Sequence, residues 1–111
     1  MDNKKTDQYY IDKMVKDLRF VLKHTQGISK QQLEENEVLV DSVMFRLIQV
    51  SENADKLTDA FKLQCPEIPW RAVKGLRNRI VHEYGNVDLS VVHDTIRNDI
   101  PVLIDILSHI L

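Results

Sequence analysis

The sequence predicts an all-α protein, an antiparallel bundle of four to five helices that forms a single domain over residues 1–111. Only three glycines and three prolines interrupt the 111 residues, so long helices are permitted. No stretch alternates apolar and polar residues between turn signals, as a half-buried strand would. Apolar residues instead recur at steps of three and four, which is the period of a helix with one buried face.

Two long helices are predicted in the first half of the chain. The first carries an apolar stripe over residues 11–25 and ends at the sequence QGIS, after which Ser29 can cap a short helical turn containing Leu33. The second is predicted over residues 37–64, because a single apolar seam runs through it. That seam consists of Val40, Val43, Leu47, Val50, Ala54, Leu57 and Phe61.

Prolines and acidic caps delimit the remaining helices. Pro66 and Pro69 end the long helix, and Pro69 is well placed to begin the next, which the Gly-Asn pair at 85–86 ends. Asp88 resembles the N-cap of a further helix, and the Asp-Ile-Pro sequence at 99–101 restarts the last one. The predicted core faces are Trp70, Val73, Leu76 and Ile80, then Leu89, Val92 and Ile96, and finally Ile100, Leu103, Ile104, Leu107 and Ile110.

Composition favours a reducing compartment and no membrane partner. The single cysteine, Cys65, cannot form an internal disulfide and is predicted to be a small buried hydrophobe. The N-terminal MDNKKTDQYY lacks the apolar core of a signal peptide, and polar residues cut the longest apolar stretch, IPVLIDILSHIL. We therefore expect a cytoplasmic protein. A formal net charge of -2 argues against broad coating of nucleic acid but allows a locally basic RNA site.

A cluster of polar residues lies in LRNRIVHEYGN, residues 76–86. Asn78 and His82 are four residues apart and can approach each other on one helix, with Arg77 beside them. A guanidinium suits phosphate oxygens, an amide can hold the phosphate or orient an imidazole, and histidine transfers protons near neutral pH. These groups suit cleavage of an RNA backbone, where the 2′-hydroxyl of the RNA is the nucleophile. The scheme calls for no metal or cofactor.

One histidine leaves this chemistry incomplete, because the base and acid roles are commonly held by two groups. A symmetric homodimer could supply the second copy across a two-fold axis and would also concentrate the basic charge of residues 71–79. Simpler structural roles also fit these residues. Taken alone, His82 fits a solvated histidine at a helix end, and Arg77 with Asn78 fits a wet helix face.

The motif RNRIVHEY has the pattern arginine, four residues, histidine, one residue, tyrosine, and so resembles the HepT-like toxins of the HEPN superfamily. The stretches PEIPWRAVKGLRNRIVHEYGNVDLSVVHDTIRNDIPVL and LIQVSENADKL are similar to that family in order and spacing. The resemblance thus covers most of the chain. It implies a dimeric HEPN-like bundle that acts as a metal-independent endoribonuclease toxin. It also implies an antitoxin partner, a small nucleotidyltransferase of the MNT type, which attaches AMP to the motif tyrosine.

The resemblance carries over to individual positions. It implies that Arg77 and His82 are the catalytic pair, that Asn78 is their polar helper and that Tyr84 accepts the AMP. Glu52, in the preceding helix, is a supporting candidate that could orient Arg77 if it were buried. Considered alone, an acid at that position is more simply a solvated side chain.

The sequence leaves three alternatives open. His93 stands where relatives often carry a tryptophan, so it is either a packing residue or a second histidine of the site. Trp70 is expected to anchor either the core or a dimer interface. The whole module could also be noncatalytic, as a nucleotide-binding or accessory subunit of a nucleotidyltransferase.

Overall fold

The computed structural model describes residues 6–80 and 86–110, and these two ranges contain no β-strand. The predicted all-α class is confirmed. No helix within them is long and apolar enough to cross a membrane. The α-helices are α1 Asp7–His24, α2 Lys30–Glu34, α3 Glu37–Asp55, α4 Asp59–Gln64, α5 Trp70–Lys74, α6 Leu76–Ile80, α7 Leu89–Asp94 and α8 Ile100–Ile110, with a π-helical turn at Thr95–Asp99.

Four rods surround one hydrophobic core, as predicted for a helical bundle. The rods are α1, α3, the pair α5–α6, and the continuous run from α7 through the π turn to α8. Helix α1 packs against α3 and α8, α3 also packs against α5 and α6, and α6 packs against α7. The predicted apolar stripes supply the fully buried side chains, among them Ile11, Met14, Leu18, Val21, Val43, Leu47, Val50, Ile80, Val92, Ile100 and Leu107.

The prediction of one helix over residues 37–64 is wrong, because the structure breaks it into α3 and α4. The hydroxyl of Thr58 accepts a hydrogen bond from the backbone N–H of Phe61 at 3.2 Å and so caps α4. The carboxylate of Asp7 accepts from the backbone N–H of Thr58 at 2.8 Å and from its hydroxyl at 2.7 Å. An N-cap reinforced by the first turn of α1 thus interrupts the seam.

The helix predicted to begin after Pro69 does begin at Trp70, but Gly75 divides it into α5 and α6. The N–H of Gly75 donates to the carbonyl oxygen of Arg71 at 3.0 Å, and a Cβ at Gly75 would lie only 3.3 Å from that oxygen. Glycine fits this close approach and also weakens the helix. Of the predicted stop at 85–86, Gly85 lies outside the described residues.

The predicted restart of a helix at residues 99–101 is also wrong. The N–H of Ile100 donates to the carbonyl of Thr95, five residues earlier, so the backbone passes from α7 into α8 through a π turn without a break. Pro101 has no N–H, and in an α-helix its ring would clash with the carbonyl four residues before it. The wider π turn therefore lets one rod continue across a proline.

Both predicted side-chain caps are confirmed. The hydroxyl of Ser29 accepts from the N–H of Gln32 at 3.1 Å, while the Gln32 side chain accepts from the Ser29 N–H at 2.9 Å. The carboxylate of Asp88 accepts from the N–H groups of Ser90 and Val91 at 3.1 and 3.2 Å. Each cap satisfies backbone donors that the first turn of a helix leaves unpaired.

Cys65 and Trp70 form the corner between α4 and α5. Cys65 is buried as predicted, and its burial, followed by the nearby Glu67 carboxylate, raises the pKa of the thiol above its ordinary value. The indole N–H of Trp70 donates to the carbonyl oxygens of Lys62 and Cys65 at 3.2 and 3.1 Å. Its ring packs edge-on against Phe61. Trp70 is thus an anchor within the chain.

Candidate active site

Helix α6 presents the first half of the polar cluster to solvent. Leu76 and Ile80 are buried in the core, whereas Arg77, Asn78 and Arg79 between them are exposed. This arrangement follows from the helical period, since residues four apart share a face. The two core side chains therefore hold the exposed residues 77–79, a short polar ridge, in place.

The two arginines of this ridge lie on opposite flanks of α6. At about 100° per residue they are separated by roughly 160° around the helix axis. A guanidinium nitrogen of Arg79 lies 3.8 Å from the carboxylate of Asp99 in the π turn. The Nη1 of Arg77 donates to the side-chain oxygen of Asn78 at 3.4 Å, and Arg77 forms no ion pair with any acid in the described ranges. The Arg77 guanidinium is thus the one open to an external anion.

The flank that carries Arg77 faces the side of α3. The ammonium of Lys74 lies 3.1 Å from the carboxylate of Asp55, and the hydroxyl of Ser51 donates to the Lys74 carbonyl at 2.6 Å. Because Asp55 is the last residue of α3 and α6 also contacts that helix, α5 and α6 must run back along α3 in the opposite direction. Arg77 lies across α6 from Arg79, which pairs with Asp99 of the π turn, so Arg77 lies on the side of α6 that faces the outer surface of α3.

Glu52 lies on that outer surface, and it is exposed. The buried position that would let it orient Arg77 is therefore absent, and no ion pair joins the two side chains. Glu52 follows Ser51, whose hydroxyl points to α5. Consecutive residues of a helix lie about 100° apart, so Glu52 faces outward from the contact that Ser51 makes with α5.

Two of the predicted site residues, His82 and Tyr84, lie outside the described residues. The structure therefore brings together Arg77 and Asn78 from the predicted set. The relation of these two to His82 and Tyr84 rests on their spacing in the sequence.

His93 has a packing contact. Its Nε2 lies 3.2 Å from the carbonyl oxygen of Ile28, in the turn between α1 and α2. A carbonyl can only accept, so this nitrogen carries the proton and donates. The half-buried ring thus ties α7 to that turn, and the contact favours the packing interpretation of His93.

The basic charge predicted from residues 71–79 is partly neutralised. Lys74 pairs with Asp55 and Arg79 pairs with Asp99, whereas the exposed Arg71 and Arg77 have no acidic partner in the described ranges. Both acids come from distant segments of the chain, so the local sequence pattern did not reveal them. Arg71 and Arg77 are therefore the bases of residues 71–79 that have no acidic partner in the described ranges.

Groups of histidine, cysteine, aspartate or glutamate that could hold a metal ion do not occur among the described residues. A family model described as ribonuclease HepT-like matches residues 14–110 of the chain. The chain belongs to the HepT-like ribonuclease family. This membership confirms the predicted resemblance and the predicted enzyme class, a ribonuclease of the HEPN type.

Two relatives that match over most of both chains are distant in sequence. A protein named "Putative RNase TTE0752" from Caldanaerobacter subterraneus subsp. tengcongensis is 26% identical over 99 residues, which cover 89% of this chain and 88% of that one. "Probable ribonuclease HepT" from Thermococcus cleftensis is 26% identical over 100 residues, covering 90% and 91% of the two chains. No solved structure matches the chain.

Proposed function

We propose that the protein is the endoribonuclease toxin of a toxin–antitoxin pair and cleaves cytoplasmic RNA without a metal, in a groove shared by two identical subunits. The observation that carries this proposal is the exposed guanidinium of Arg77. It is held by Asn78, has no acidic partner in the described ranges and projects from the helix that begins the HepT-like motif.

The reaction is an internal transfer of the RNA phosphate. The 2′-hydroxyl oxygen bonds to the adjacent phosphorus while the bond from phosphorus to the 5′ oxygen breaks, leaving a 2′,3′-cyclic phosphate and a 5′-hydroxyl. One group removes the proton of the 2′-hydroxyl and another protonates the departing 5′ oxygen. His82 takes one of these two roles, and His82 of the second subunit supplies the other.

Arg77 stabilises the negative charge that builds on the phosphate oxygens as the nucleophile attacks. A guanidinium has five N–H donors, and the Asn78 oxygen occupies one nitrogen of Arg77, at 3.4 Å. The remaining donors can bind two phosphate oxygens in the planar geometry that arginine favours. Asn78 is thus a positioning residue that orients the guanidinium. Glu52, which is exposed on α3, is kept as a supporting residue.

Tyr84 is proposed as the off switch, modified with AMP by an MNT-type nucleotidyltransferase antitoxin. On helical spacing, Tyr84 falls roughly 20° from Arg77 around the axis. A phosphate attached there would compete with RNA for the Arg77 guanidinium and would also block the groove. Modification would therefore inhibit by charge and by bulk.

The nuclease proposal is tested with purified protein, a defined RNA and an excess of a metal chelator. We expect fragments that end in a cyclic phosphate, identified by mass spectrometry, and we expect their loss in His82→Ala protein that keeps its helical circular dichroism. Cleavage retained by His82→Ala would refute the assignment. Binding of RNA by the wild type without any fragments would favour the noncatalytic alternative.

The switch is tested by coexpression with an MNT-type nucleotidyltransferase, sought among the genes adjacent to this one. The chain has three tyrosines, so Tyr9 and Tyr10 serve as internal controls. We expect the peptide that contains Tyr84 to gain the mass of AMP, and the other two tyrosines to remain unmodified. Tyr84→Phe protein should stay toxic in the presence of the partner. An unshifted Tyr84 peptide would exclude the modification.

A further inference from the structure

The outer surface of α1 carries a row of cations. Lys16, Arg19 and Lys23 are exposed, and none of them forms an ion pair with an acid within residues 6–80 and 86–110. Because α1 is one unbroken helix, the three lie within roughly 60° of one another at about 100° per residue. Like charges three and four residues apart on a helix repel each other. An anion bound between these side chains would offset that repulsion.

A groove between α1 and α8 runs beside two of these cations. It has a volume of about 400 Å³ and is lined by Asp12, Val15, Lys16, Arg19 and Ser108. We call it the α1–α8 groove. The Nη2 of Arg19 donates to the hydroxyl oxygen of Ser108 at 3.3 Å, which joins the two helices and holds the guanidinium at the groove. The Ser108 oxygen accepts this bond, so its own hydrogen can be donated to a ligand.

We propose that the α1–α8 groove binds a phosphate group, held by the Lys16 ammonium, the Arg19 guanidinium and the Ser108 hydroxyl. All three groups donate hydrogen bonds, which phosphate oxygens accept, and a planar guanidinium can bind two such oxygens at once. The phosphate is carried either by the backbone of an RNA or by a free nucleotide. The first source deepens the proposed function and rests on it, whereas the second does not.

Asp12 is the one acid among the residues that line the α1–α8 groove in the described structure. It precedes Lys16 by four residues, a spacing that suits an ion pair, yet its carboxylate accepts from the side-chain amide of Gln8 at 3.0 Å and forms no ion pair in the described ranges. Asp12 thus marks the N-terminal end of the site. Three cations against one carboxylate leave this surface positive.

The α1–α8 groove lies apart from the flank of Arg77. Helix α1 packs against α3 and α8, whereas α6 packs against α3 and α7. On α1, Asp17 faces α3 because it accepts from Arg46 at 2.8 Å, and Arg19 lies roughly 160° from Asp17 around the axis. Arg19 therefore points away from α3. A phosphate in the groove would occupy a second site, separate from the one proposed at Arg77.

The length of the cation row distinguishes the two sources of phosphate. From Lys16 to Lys23 the helix rises by about 10.5 Å, and one strand of a stacked nucleic acid advances about 3.4 Å per nucleotide. The row therefore matches about three successive phosphates of an RNA. A single nucleotide bound at Lys16 and Arg19 would not need Lys23. Lys23→Gln should accordingly weaken the binding of RNA and leave the binding of a nucleotide unchanged.

NMR titration of isotope-labelled protein at constant ionic strength tests the site directly. The probes are inorganic phosphate, uridine 5′-monophosphate and a 2′-O-methyl RNA oligonucleotide, which cannot be cleaved because it lacks the 2′-hydroxyl. We expect at least one probe to cause a saturable shift of the Ser108 backbone N–H signal, and we expect Arg19→Gln to abolish it. Saturation by the nucleotide identifies a nucleotide site, and saturation by the oligonucleotide alone identifies RNA. No saturable shift with any of the three probes would overturn the proposal.

Matched neutral substitutions separate the groove from general positive charge. Lys13 is the control, because it is an exposed cation of α1 that does not line the groove and lies 5.6 Å from the centre of the Tyr9 ring. Lys16→Gln and Arg19→Gln should each weaken binding of the saturating probe by at least about 3-fold, whereas Lys13→Gln should leave it unchanged. With the oligonucleotide, each of the two should also lower the slope of log affinity against log salt by about 0.7. Equal losses in all three variants would reject the groove.

RNA cleavage by the same variants keeps this inference distinct from the nuclease proposal. If the phosphate belongs to RNA, Arg19→Gln should raise KM and leave kcat unchanged, because Arg19 lies away from Arg77. A fall in kcat would contradict a separate site. If the wild type shows the saturable Ser108 shift but cuts no RNA, the groove stands and the nuclease proposal fails. If the wild type cuts RNA while no probe shifts Ser108, the nuclease proposal stands and the groove fails.

Discussion

The hydroxyl of Ser51 donates a 2.6 Å hydrogen bond to the carbonyl oxygen of Lys74, and this contact fixes the end of α5 against α3. Ser51 is only 7% exposed, so water cannot readily replace the bond. The carbonyl is that of Lys74, the last residue of α5 before the interruption at Gly75, where a helix end leaves carbonyls in need of partners. One side chain of α3 thus positions the segment that leads to Arg77.

Ser51→Ala should lower the free energy of unfolding by about 1 kcal/mol, because the Lys74 carbonyl loses its donor in a partly buried place. Alanine's better helix propensity offsets a few tenths of that loss. Ser42→Ala is the matched control on the same helix, since the Ser42 hydroxyl makes no hydrogen bond within the described structure. Urea unfolding measures both variants. Equal midpoints would mean that the 2.6 Å bond contributes nothing.

Arg46→Ala should be more destabilising, because it leaves the carboxylate of Asp17 buried without its partner. The ion pair is 2.8 Å long, with side-chain exposures of 28% for Arg46 and 9% for Asp17, and the guanidinium also lies 4.0 Å from the centre of the Phe20 ring. We expect a loss of about 2 kcal/mol in chemical unfolding, less than for a fully buried pair.

An exposed ion pair serves as the comparison for the partly buried pair of Arg46 and Asp17. Lys30 and Glu34 lie 3.8 Å apart with side-chain exposures of 50% and 46%. Lys30→Ala should cost at most about 0.5 kcal/mol, because solvent screens the pair. Similar losses for Lys30→Ala and Arg46→Ala would show that burial of Asp17 has no energetic consequence.

Features of the fold that depend on local chemistry were predictable. The apolar stripes of α1 and α3 follow the helical period, and the caps at Ser29 and Asp88 follow from side chains next to the backbone they bind. The break before α4 was not predictable from the seam, because Thr58 is also bound by Asp7, 51 residues away. The π turn was missed because Pro101 more often marks the start of a helix than its interior.

In the candidate site, too, the local features were predictable from the sequence and the long-range contacts were not. The exposure of Arg77 and Asn78 beside the buried Leu76 and Ile80 follows from their spacing, and the structure agrees with it. The electrostatics do not follow from spacing. Whether a base is free or paired depends on acids brought close by the fold, as Asp99 is brought to Arg79 across 20 positions in the sequence.

Cys65 should react slowly with alkylating reagents, because the thiolate is the reactive form and burial, then Glu67, raises the pKa of the thiol. At pH 8 the folded protein should react at least about 10-fold more slowly than the protein in denaturant. Glu67→Gln removes the smaller cause and should speed the reaction, while Glu52→Gln serves as a control acid elsewhere. Equal rates in the folded and unfolded protein would contradict the raised pKa.

The raised pKa of Cys65 also links stability to pH. The folded thiol holds its proton more tightly than the unfolded thiol, so its contribution to stability is present below the unfolded pKa and declines as pH rises above about 8.5. Cys65→Ala should remove this alkaline decline. Unfolding free energies measured at pH 7 and pH 10 test it, and an identical decline in both proteins would assign it to other groups.

Arg77 and Arg79 provide the most direct test of the active site, since both are exposed on α6 and point to opposite flanks. Arg77→Lys keeps the charge but loses the planar fork for phosphate, so RNA cleavage should fall by at least about 10-fold. Arg79→Lys can still pair with Asp99 and should stay within about 3-fold of wild type. Both variants should unfold at the wild-type temperature. Equal losses of cleavage would mean that RNA binds a diffuse basic surface and that Arg77 has no specific role in the reaction.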